Sequence, residues 1–411
     1  MEILFLSAHL PSPRARQAGQ KTSYYISKFL AREHTVRLLS FATQAELDSF
    51  RADDMDFLHS YDIVPVTGVS RLAGMITRPR YPIVAAFRYS GKFRRKLNEL
   101  VKRHRFDFAY LEFTGMMQYR EALGDVPVVA AMEVDVSFRW WERKQQQASN
   151  AFSKALFGWE AQRTKDWELE QLGRMDMALV QNEAEKRILE KLLSNVPVHF
   201  MRPWIELGRN EPVAPYTERE RDSLVFWGAM DRMENADAVT YACEQILPRV
   251  WCTHPSARFY IVGGSPSANL IRRFEGPRVR ICGFVGNPFA VLSAKQIALL
   301  PMRLGAGIKV KVLECMAAGL PVVTTPGGAE GIPGRHGVHF LVGRSEQELA
   351  DAVLTLLSSP ELAAEVGARA RALIVENHFF EESLRSLEQE VRARLNGSQK
   401  ESRQSSIEVD Q

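Results

Sequence analysis

The chain has 411 residues, 45% of them apolar and 25% charged, a balance that excludes collagen-like, coiled-coil and largely disordered classes. This length exceeds what one ordinary core fills and predicts two domains. With 53 Lys+Arg against 49 Asp+Glu the net charge is only +4, too small an excess for a protein living on nucleic acid, so no nucleic-acid partner is expected.

In chain order, short apolar runs predict strands at Glu2–Ser7, Thr35–Phe41, Tyr61–Val66, Asp107–Leu111, Pro127–Ala131, Met177–Gln181 and Val196–Phe200. After a polar stretch with two prolines, 207–222, a second series follows: Ser223–Trp227, Arg258–Val262, Arg278–Cys282, Gln296–Leu300, Pro321–Thr324 and Val338–Val342. Helical patterns such as Ala236–Trp251 and Lys309–Gly319 separate most of them. Apolar strands alternating with helices imply an α/β chain with two doubly wound parallel sheets, 1–206 and 223–376, joined by a linker at 207–222. Leu384, Leu387, Val391 and Leu395 form one stripe of a last helix, 377–395, and the polar residues 396–411 read as a disordered tail. Open parallel sheets bind ligands outside the carboxyl ends of their strands, so function is expected in strand-to-helix loops facing a cleft.

The charge is uneven. Arg71 to Arg105 holds eleven basic residues and one acid, Glu99, which leaves the rest of the chain net acidic. Within this segment, residues 87–104 read as an amphipathic helix with Leu97, Leu100 and Val101 packed and Arg94, Arg95, Lys96, Lys102 and Arg103 outward. Two readings stay open: peripheral contact of 87–105 with an anionic membrane, and a solvated helix face. Cys243, Cys252, Cys282 and Cys315 lie among apolar neighbours with no C-x-x-C spacing. They read as reduced, buried thiols of a cytoplasmic protein without a zinc site. No apolar run reaches the roughly 18–20 residues that span a bilayer, and Met1–Ser7 reads as a strand rather than a signal peptide.

The most informative stretch runs from Leu300 to Gly331. A Gly-rich turn with Gly305 and Gly307 follows a strand and opens a helix that Gly319 can cap. Such a turn exposes N–H groups at the positive end of a helix, which suits phosphate, and Lys309 adds charge there. Glu314 lies where a carboxylate can accept both ribose hydroxyls. From spacing alone, a plain tight turn and a Lys311–Glu314 surface ion pair are equally open readings.

The segment Gly307-Ile-Lys-Val-Lys-Val-Leu-Glu-Cys-Met-Ala-Ala-Gly-Leu-Pro-Val-Val323 resembles the donor site of retaining, family-4-type glycosyltransferases of the GT-B fold. Leu224-Val-Phe-Trp-Gly-Ala-Met-Asp231, Phe259-Tyr-Ile-Val-Gly-Gly264 and Val279-Arg-Ile-Cys-Gly-Phe-Val-Gly286 are similar to its preceding strands and loops. The resemblance implies a nucleotide-sugar donor and transfer to a sugar, glycan, lipid-linked or small-molecule hydroxyl, in polysaccharide, glycolipid or glycoconjugate synthesis. It makes Glu314 the ribose ligand. Gly305, Ala306, Gly307 and Ile308 form the loop facing sugar and diphosphate. Lys309 and Arg303 become diphosphate partners, Phe284 and Val285 edge the base, and Gly228 marks the first phosphate-side loop. It also implies that the last helix crosses back to the first domain. Ala306 stands where the family often carries a second glutamate, which leaves phosphate neutralisation, and with it a catalytic role, to Lys309.

In the first domain the resemblance is looser. Gly19 fits the family's first loop, and Glu133 and Asp135 end a strand where a histidine or acid often stands. Asp135 is the residue expected nearest the reacting sugar; capping of the next helix by Asp135 or Ser137 is the competing reading. Phe138, Trp140, Trp141, Trp159 and Trp167 line either an acceptor groove or a core. Retaining transfer of this kind resembles a front-face displacement in which the leaving diphosphate takes the acceptor proton, so no metal or other cofactor is expected. A nucleotide-sugar epimerase and a non-catalytic nucleotide-sugar-binding subunit are the alternatives.

Overall fold

The computed structural model describes the chain except residues 16–17, 134–135, 206–211, 306, 333, 378–379 and 410–411, and it leaves out the side chains at 18, 70, 73, 133, 377 and 398–409. The chain divides into two compact units, Met1–Trp204 with Phe380–Gln411, and Ile205–Phe379.

Unit 1 is built on β1 (Glu2–Ser7), β2 (Thr35–Ala42), β3 (Ser60–Pro65), β4 (Phe108–Glu112), β5 (Val128–Glu133), β6 (Met177–Val180) and β7 (Val198–Phe200). They form one parallel sheet in the order β3-β2-β1-β4-β5-β6-β7. Central strands are apolar on both faces because both faces are covered. Leu4 and Leu6 join one core and Ile3 and Phe5 the other. The second core is closed by the last helix, whose Leu384, Leu387 and Val391 are buried against it. Each such side chain removed from water contributes about 1.5–3 kcal/mol. That helix is Phe380–Val409, longer than the stop at Leu395 and the disordered tail the sequence suggests. A polar composition removes the reason to bury residues 396–409, but it leaves a proline-free run of Gln, Glu, Arg, Lys and Ser that tolerates helix.

Unit 2 carries β8 (Ser223–Trp227), β9 (Arg258–Val262), β10 (Val279–Gly283), β11 (Ile297–Leu300), β12 (Val322–Thr324) and β13 (Leu341–Val342), parallel in the order β10-β9-β8-β11-β12-β13. The last strand is shorter than Val338–Val342 because Gly337, at φ +75°, opens a turn through 339. The helix expected over Ala236–Trp251 is a π-wound segment, Ala242–Ile246, set between helices Met233–Tyr241 and Leu247–Thr253. The wide turn comes just before Pro248, which has no N–H for a regular ladder. The stretch read as a linker is only partly one. Tyr216 and Arg219 are buried in unit 2, and Arg219 donates to the carbonyls of Gly319 (3.0 Å) and Lys295 (3.4 Å). Among the cysteines, Cys243 and Cys315 are buried as read, but Cys252 is exposed and Cys282 half-buried.

Candidate functional site

In each unit the strand order turns back beside the first strand. The chain winds outward on one side of β1, then crosses to β4, and it does the same at β8 and β11. Neighbouring loops part at such points and leave a crevice at the strand ends.

In unit 2 the loop after β8 and the helix after β11 meet there. That helix, Val310–Ala317, begins with Lys309 at its N-cap position and no side-chain cap. Gly319 (φ +71°) ends it, its N–H on Met316 and that of Leu320 on Cys315, a Schellman closure that drops the chain into β12. The Lys309 Nζ donates to the Gly307 carbonyl at 2.7 Å and the side chain is buried. Glu314 accepts the Trp227 indole N–H at 2.6 Å, which joins the helix to the end of β8. Lys311, the residue that spacing offered to Glu314, turns elsewhere. Its ammonium donates to Asn235 Oδ1 at 2.5 Å, and Asn235 in turn donates to the Ala229 carbonyl at 2.7 Å. Burial pulls the Lys311 pKa down to about 8, with Arg232 and Lys309 adding repulsion and Glu234 and Glu314 opposing it. Lys311 is thus a second cation beside the loop of Gly228, which sequence spacing hid by suggesting a surface pair.

The loops after β8, β9 and β10 are laced together. Gly228 donates to Val262, Met230 to Gly264 and Gly263 to Gly283. A Cβ on Gly263 would come within 1.9 Å of the Gly228 carbonyl oxygen, so only glycine allows this approach. Phe284 is 85% exposed beside Gly264, while Val285 and Ile308 pack against the unit 2 core. Gly305 has φ +91°, open to glycine alone without strain. Ala306 lies outside the described residues. Arg303 is held apart from the two lysines. Its guanidinium forks onto Asp237 (2.6 and 3.1 Å) and lies 4.1 Å over the Tyr241 ring. The structure therefore brings Gly228, Lys309, Lys311 and Glu314 to one crevice and gives Arg303 a carboxylate of its own.

In unit 1, Gly19 lies in helix Ala18–Leu30, where a Cβ would come within 2.9 Å of the Phe113 ring. Glu133 ends β5; its side chain, and Asp135 altogether, lie outside the described residues. The next helix, Ser137–Gln147, has no side-chain cap from its N-cap residue, Val136. Glu168 accepts the N–H groups of Ser137 (2.9 Å) and Phe138 (3.1 Å) instead. Of the aromatic group, Phe138 and Trp167 are core, whereas Trp140 and Trp159 are exposed. The helix read over 87–104 is Gly91–Arg103, started by Ser90, whose hydroxyl accepts the Phe93 N–H at 3.3 Å. It buries Phe93, Leu97 and Leu100 and exposes Arg94, Arg95, Lys102 and Arg103, while Lys96 pairs with Asp62 at 2.9 Å.

Sequence reasoning missed a polar cluster beyond β1. The only pattern that keeps its bonds is Arg88 donating to His9 Nε2 (2.7 Å) and His9 Nδ1–H donating to Glu46 (3.3 Å), because a guanidinium has no acceptor. Gln20 also donates to Glu46, at 2.6 Å. Burial lowers the His9 pKa against the pull of Glu46, which agrees with a neutral ring. At the end of β4, burial pushes the Glu112 pKa up to about 8, with the nearby hydroxyls of Ser23 and Tyr110 opposing the shift. Among the described residues, no group of three or more His, Cys, Asp or Glu is placed to hold a metal ion, and no helix is long and apolar enough to cross a membrane.

Residues 221–359 match the family model described as "Glycosyl transferases group 1". No curated protein matches the chain. Among solved structures, sucrose-phosphate synthase from Thermosynechococcus elongatus is 14% identical with a TM-score of 0.70, over 97% of this chain and 100% of that one. Anabaena HepE in complex with UDP is 13% identical with a TM-score of 0.67, over 96% of this chain and 100% of that one. HepE has also been solved with UDP-glucose. A point mutant of S. aureus TarM, solved with UDP, Fondaparinux and alpha-GlcNAc-glycerol, is 10% identical with a TM-score of 0.64, over 96% of this chain and 99% of that one. The matched domain, residues 221–359, is thus of the group 1 glycosyltransferase type, and the chain as a whole has the two-sheet GT-B fold of these structures.

Proposed function

We propose that the chain moves a sugar from a nucleotide-sugar bound in unit 2 to an acceptor hydroxyl bound in unit 1, with retention of anomeric configuration and without a metal. The observation that carries this reading is the convergence of two lysines, an uncapped helix start and the Glu314–Trp227 pair on one crevice. Glu314 takes the ribose hydroxyls. Lys309, Lys311 and the helix N-terminus stabilise the charge that grows on the leaving diphosphate. The sugar–oxygen bond to diphosphate breaks as the bond to the acceptor oxygen forms on the same face, and the acceptor proton passes to the departing phosphate oxygen. Asp135 and Glu133 orient the acceptor. That HepE, of the same fold, was solved with UDP and with UDP-glucose supports a nucleoside-diphosphate sugar as the donor.

The protein works in the cytoplasm: four unpaired cysteines, one of them exposed, suit a reducing compartment. Contact of 87–105 with an anionic membrane would rest on charge, because the apolar residues of helix Gly91–Arg103 face the core. The exposed Val69, Leu72 and Ile76 of helix Gly68–Thr77 would add the apolar part.

A thermal-shift screen against UDP, GDP, ADP and dTDP sugars tests the donor, since a ligand bound only by the native state must raise the melting temperature. The hit is then supplied with candidate acceptors and the anomer of the product read by NMR. No shift with any nucleotide-sugar overturns the reading. A shift without transfer or hydrolysis favours a non-catalytic binding subunit, and interconversion of the donor favours an epimerase.

A further inference from the structure

The cluster beyond β1 lies at the crevice of unit 1, where the strand order reverses between β1 and β4. Its members come from separate loops and helices: His9 after β1, Gln20 in helix Ala18–Leu30, Glu46 after β2, Arg71 in helix Gly68–Thr77, and Arg88 after helix Ile83–Ala86. Five segments converge there, and their charges do not balance. His9 is neutral and spends both ring nitrogens, one accepting from Arg88 and one donating to Glu46. Glu46 is shared among His9, Gln20 and Thr43. Among the described residues, no carboxylate lies within ion-pair distance of Arg71 or Arg88. The Nε–H of Arg71 is buried and has no hydrogen-bond partner. Burial and the repulsion of Arg71 pull the Arg88 pKa down to about 10 against the attraction of Glu46, the direction expected where one carboxylate faces two guanidiniums.

A half-buried guanidinium short of counter-charge is costly, and two together more so. A structure keeps such a pair where a ligand supplies the missing charge. Guanidinium forks match the oxygens of a phosphate in two-point contacts. The neutral His9–Glu46 arm fixes the direction of Arg88, as Gln20 fixes Glu46.

We infer that the crevice at the carboxyl ends of β1 and β4 is a subsite for a phosphate-class oxyanion, held by Arg71 and Arg88 and positioned by His9 and Glu46, so that the acceptor of this enzyme carries a phosphoryl group. The inference rests on the assignment of the acceptor to unit 1. It narrows the acceptor from any hydroxyl compound to a phosphorylated one. The phosphoryl group belongs either to a soluble phosphate ester or to a lipid headgroup. The exposed Val69, Leu72 and Ile76 stand on the same helix as Arg71, so a headgroup source would place that helix against lipid.

The test uses the full chain. Glycerol 3-phosphate is titrated calorimetrically into the Lys309→Met/Lys311→Met protein, which lacks the diphosphate cradle of unit 2, and into the same protein carrying Arg71→Met or Arg88→Met. Flotation with vesicles of phosphatidylglycerol and phosphatidylcholine, or of phosphatidylcholine alone, forms the second arm. Melting curves confirm that each variant folds. If Arg88→Met does not fold, Arg71→Met and Arg71→Lys carry the test, with Lys expected to restore part of the affinity. A soluble ester source gives saturable binding that weakens tenfold or more in each methionine variant. A headgroup source gives weak ester binding and flotation on phosphatidylglycerol vesicles that falls to the same degree in those variants. Binding of neither probe, or binding that the arginine variants leave unchanged, overturns the subsite. Should glycerol 3-phosphate bind through Arg71 and Arg88 while no nucleotide-sugar is bound or turned over, the subsite stands and the transferase reading fails.

Discussion

The two units share an architecture and differ in how they furnish it. At the β8/β11 crevice the groups brought together are backbone N–H groups, glycine loops and two lysines around one helix start. At the β1/β4 crevice they are side chains drawn from five segments. The contrast follows from the ligands proposed. The diphosphate is common to all nucleoside-diphosphate sugars, and a helix start with flanking cations holds it by generic chemistry. An acceptor varies from enzyme to enzyme, so its crevice must be built from side chains that can change without disturbing the sheet.

If unit 2 is the electrostatic half of the site, its largest dependence is on the lysine pair. Lys309→Met/Lys311→Met should lower turnover by about 10³-fold, since removing a single group that stabilises transition-state charge costs about 10²–10³. Steady-state kinetics at saturating donor reads this. Turnover within about fivefold of the parent would move the burden to the backbone alone. Lys309→Ala by itself, with donor affinity and turnover unchanged, would leave Lys311 as the working cation.

Glu314→Gln comes next. It keeps the size of the side chain and a partner for Trp227 but gives up the charge offered to the ribose, a loss of about 1.5–3 kcal/mol for a charge-assisted bond. The expected result is a donor KM raised about ten- to a hundredfold with a smaller change in kcat. An unchanged KM would remove Glu314 from the donor site.

The same contrast decides what was legible in the sequence. The β8, β9 and β11 runs could be placed to within a residue because they are apolar on both faces and end in glycine or proline. The loop proposed to hold the donor could be picked out because glycines, Lys309 and Glu314 lie within one short stretch. Lys311 was not, because i,i+3 spacing on a helix suggests a pair, whereas in the fold the two side chains part toward Asn235 and Trp227. The β1/β4 crevice was illegible for a stronger reason. His9, Glu46, Arg71 and Arg88 are far apart in sequence, and nothing short of the β1/β4 crossover brings them together. In the sequence Arg71 and Arg88 stand out only as members of the basic segment. Their partial burial is invisible to a charge count.

Protonation separates folding from binding in unit 2. Lys311 titrates near 8 in the folded chain against an ordinary 10.5, so between those values the unfolded chain binds more protons than the folded one. Stability attributable to this residue should therefore rise with pH across about 8 to 10.5 and be absent from Lys311→Met. Donor affinity should move the opposite way, falling several-fold as pH passes 8, because the diphosphate needs the charged ammonium. Melting curves and donor titrations of parent and Lys311→Met from pH 7 to 9.5 check both signs. Parallel movement of the two would mean that the Lys311 charge does not face the donor.

The smallest effect expected in unit 2 belongs to Arg303. A cation in the loop that leads into the helix Val310–Ala317 invites the role of phosphate ligand. The fold gives its fork to Asp237 and its face to Tyr241, with the side chain partly in solvent. An exposed ion pair of this kind is worth about 0–1 kcal/mol, and moving Arg303 to the donor would first have to break it. Arg303→Ala should therefore change donor KM by less than about threefold and lower stability slightly. Asp237→Ala sharpens the comparison: it frees the guanidinium, and if Arg303 can reach the diphosphate, donor affinity should then rise. A tenfold loss in Arg303→Ala would return this residue to the cradle and make three cations, rather than two, the basis of donor binding.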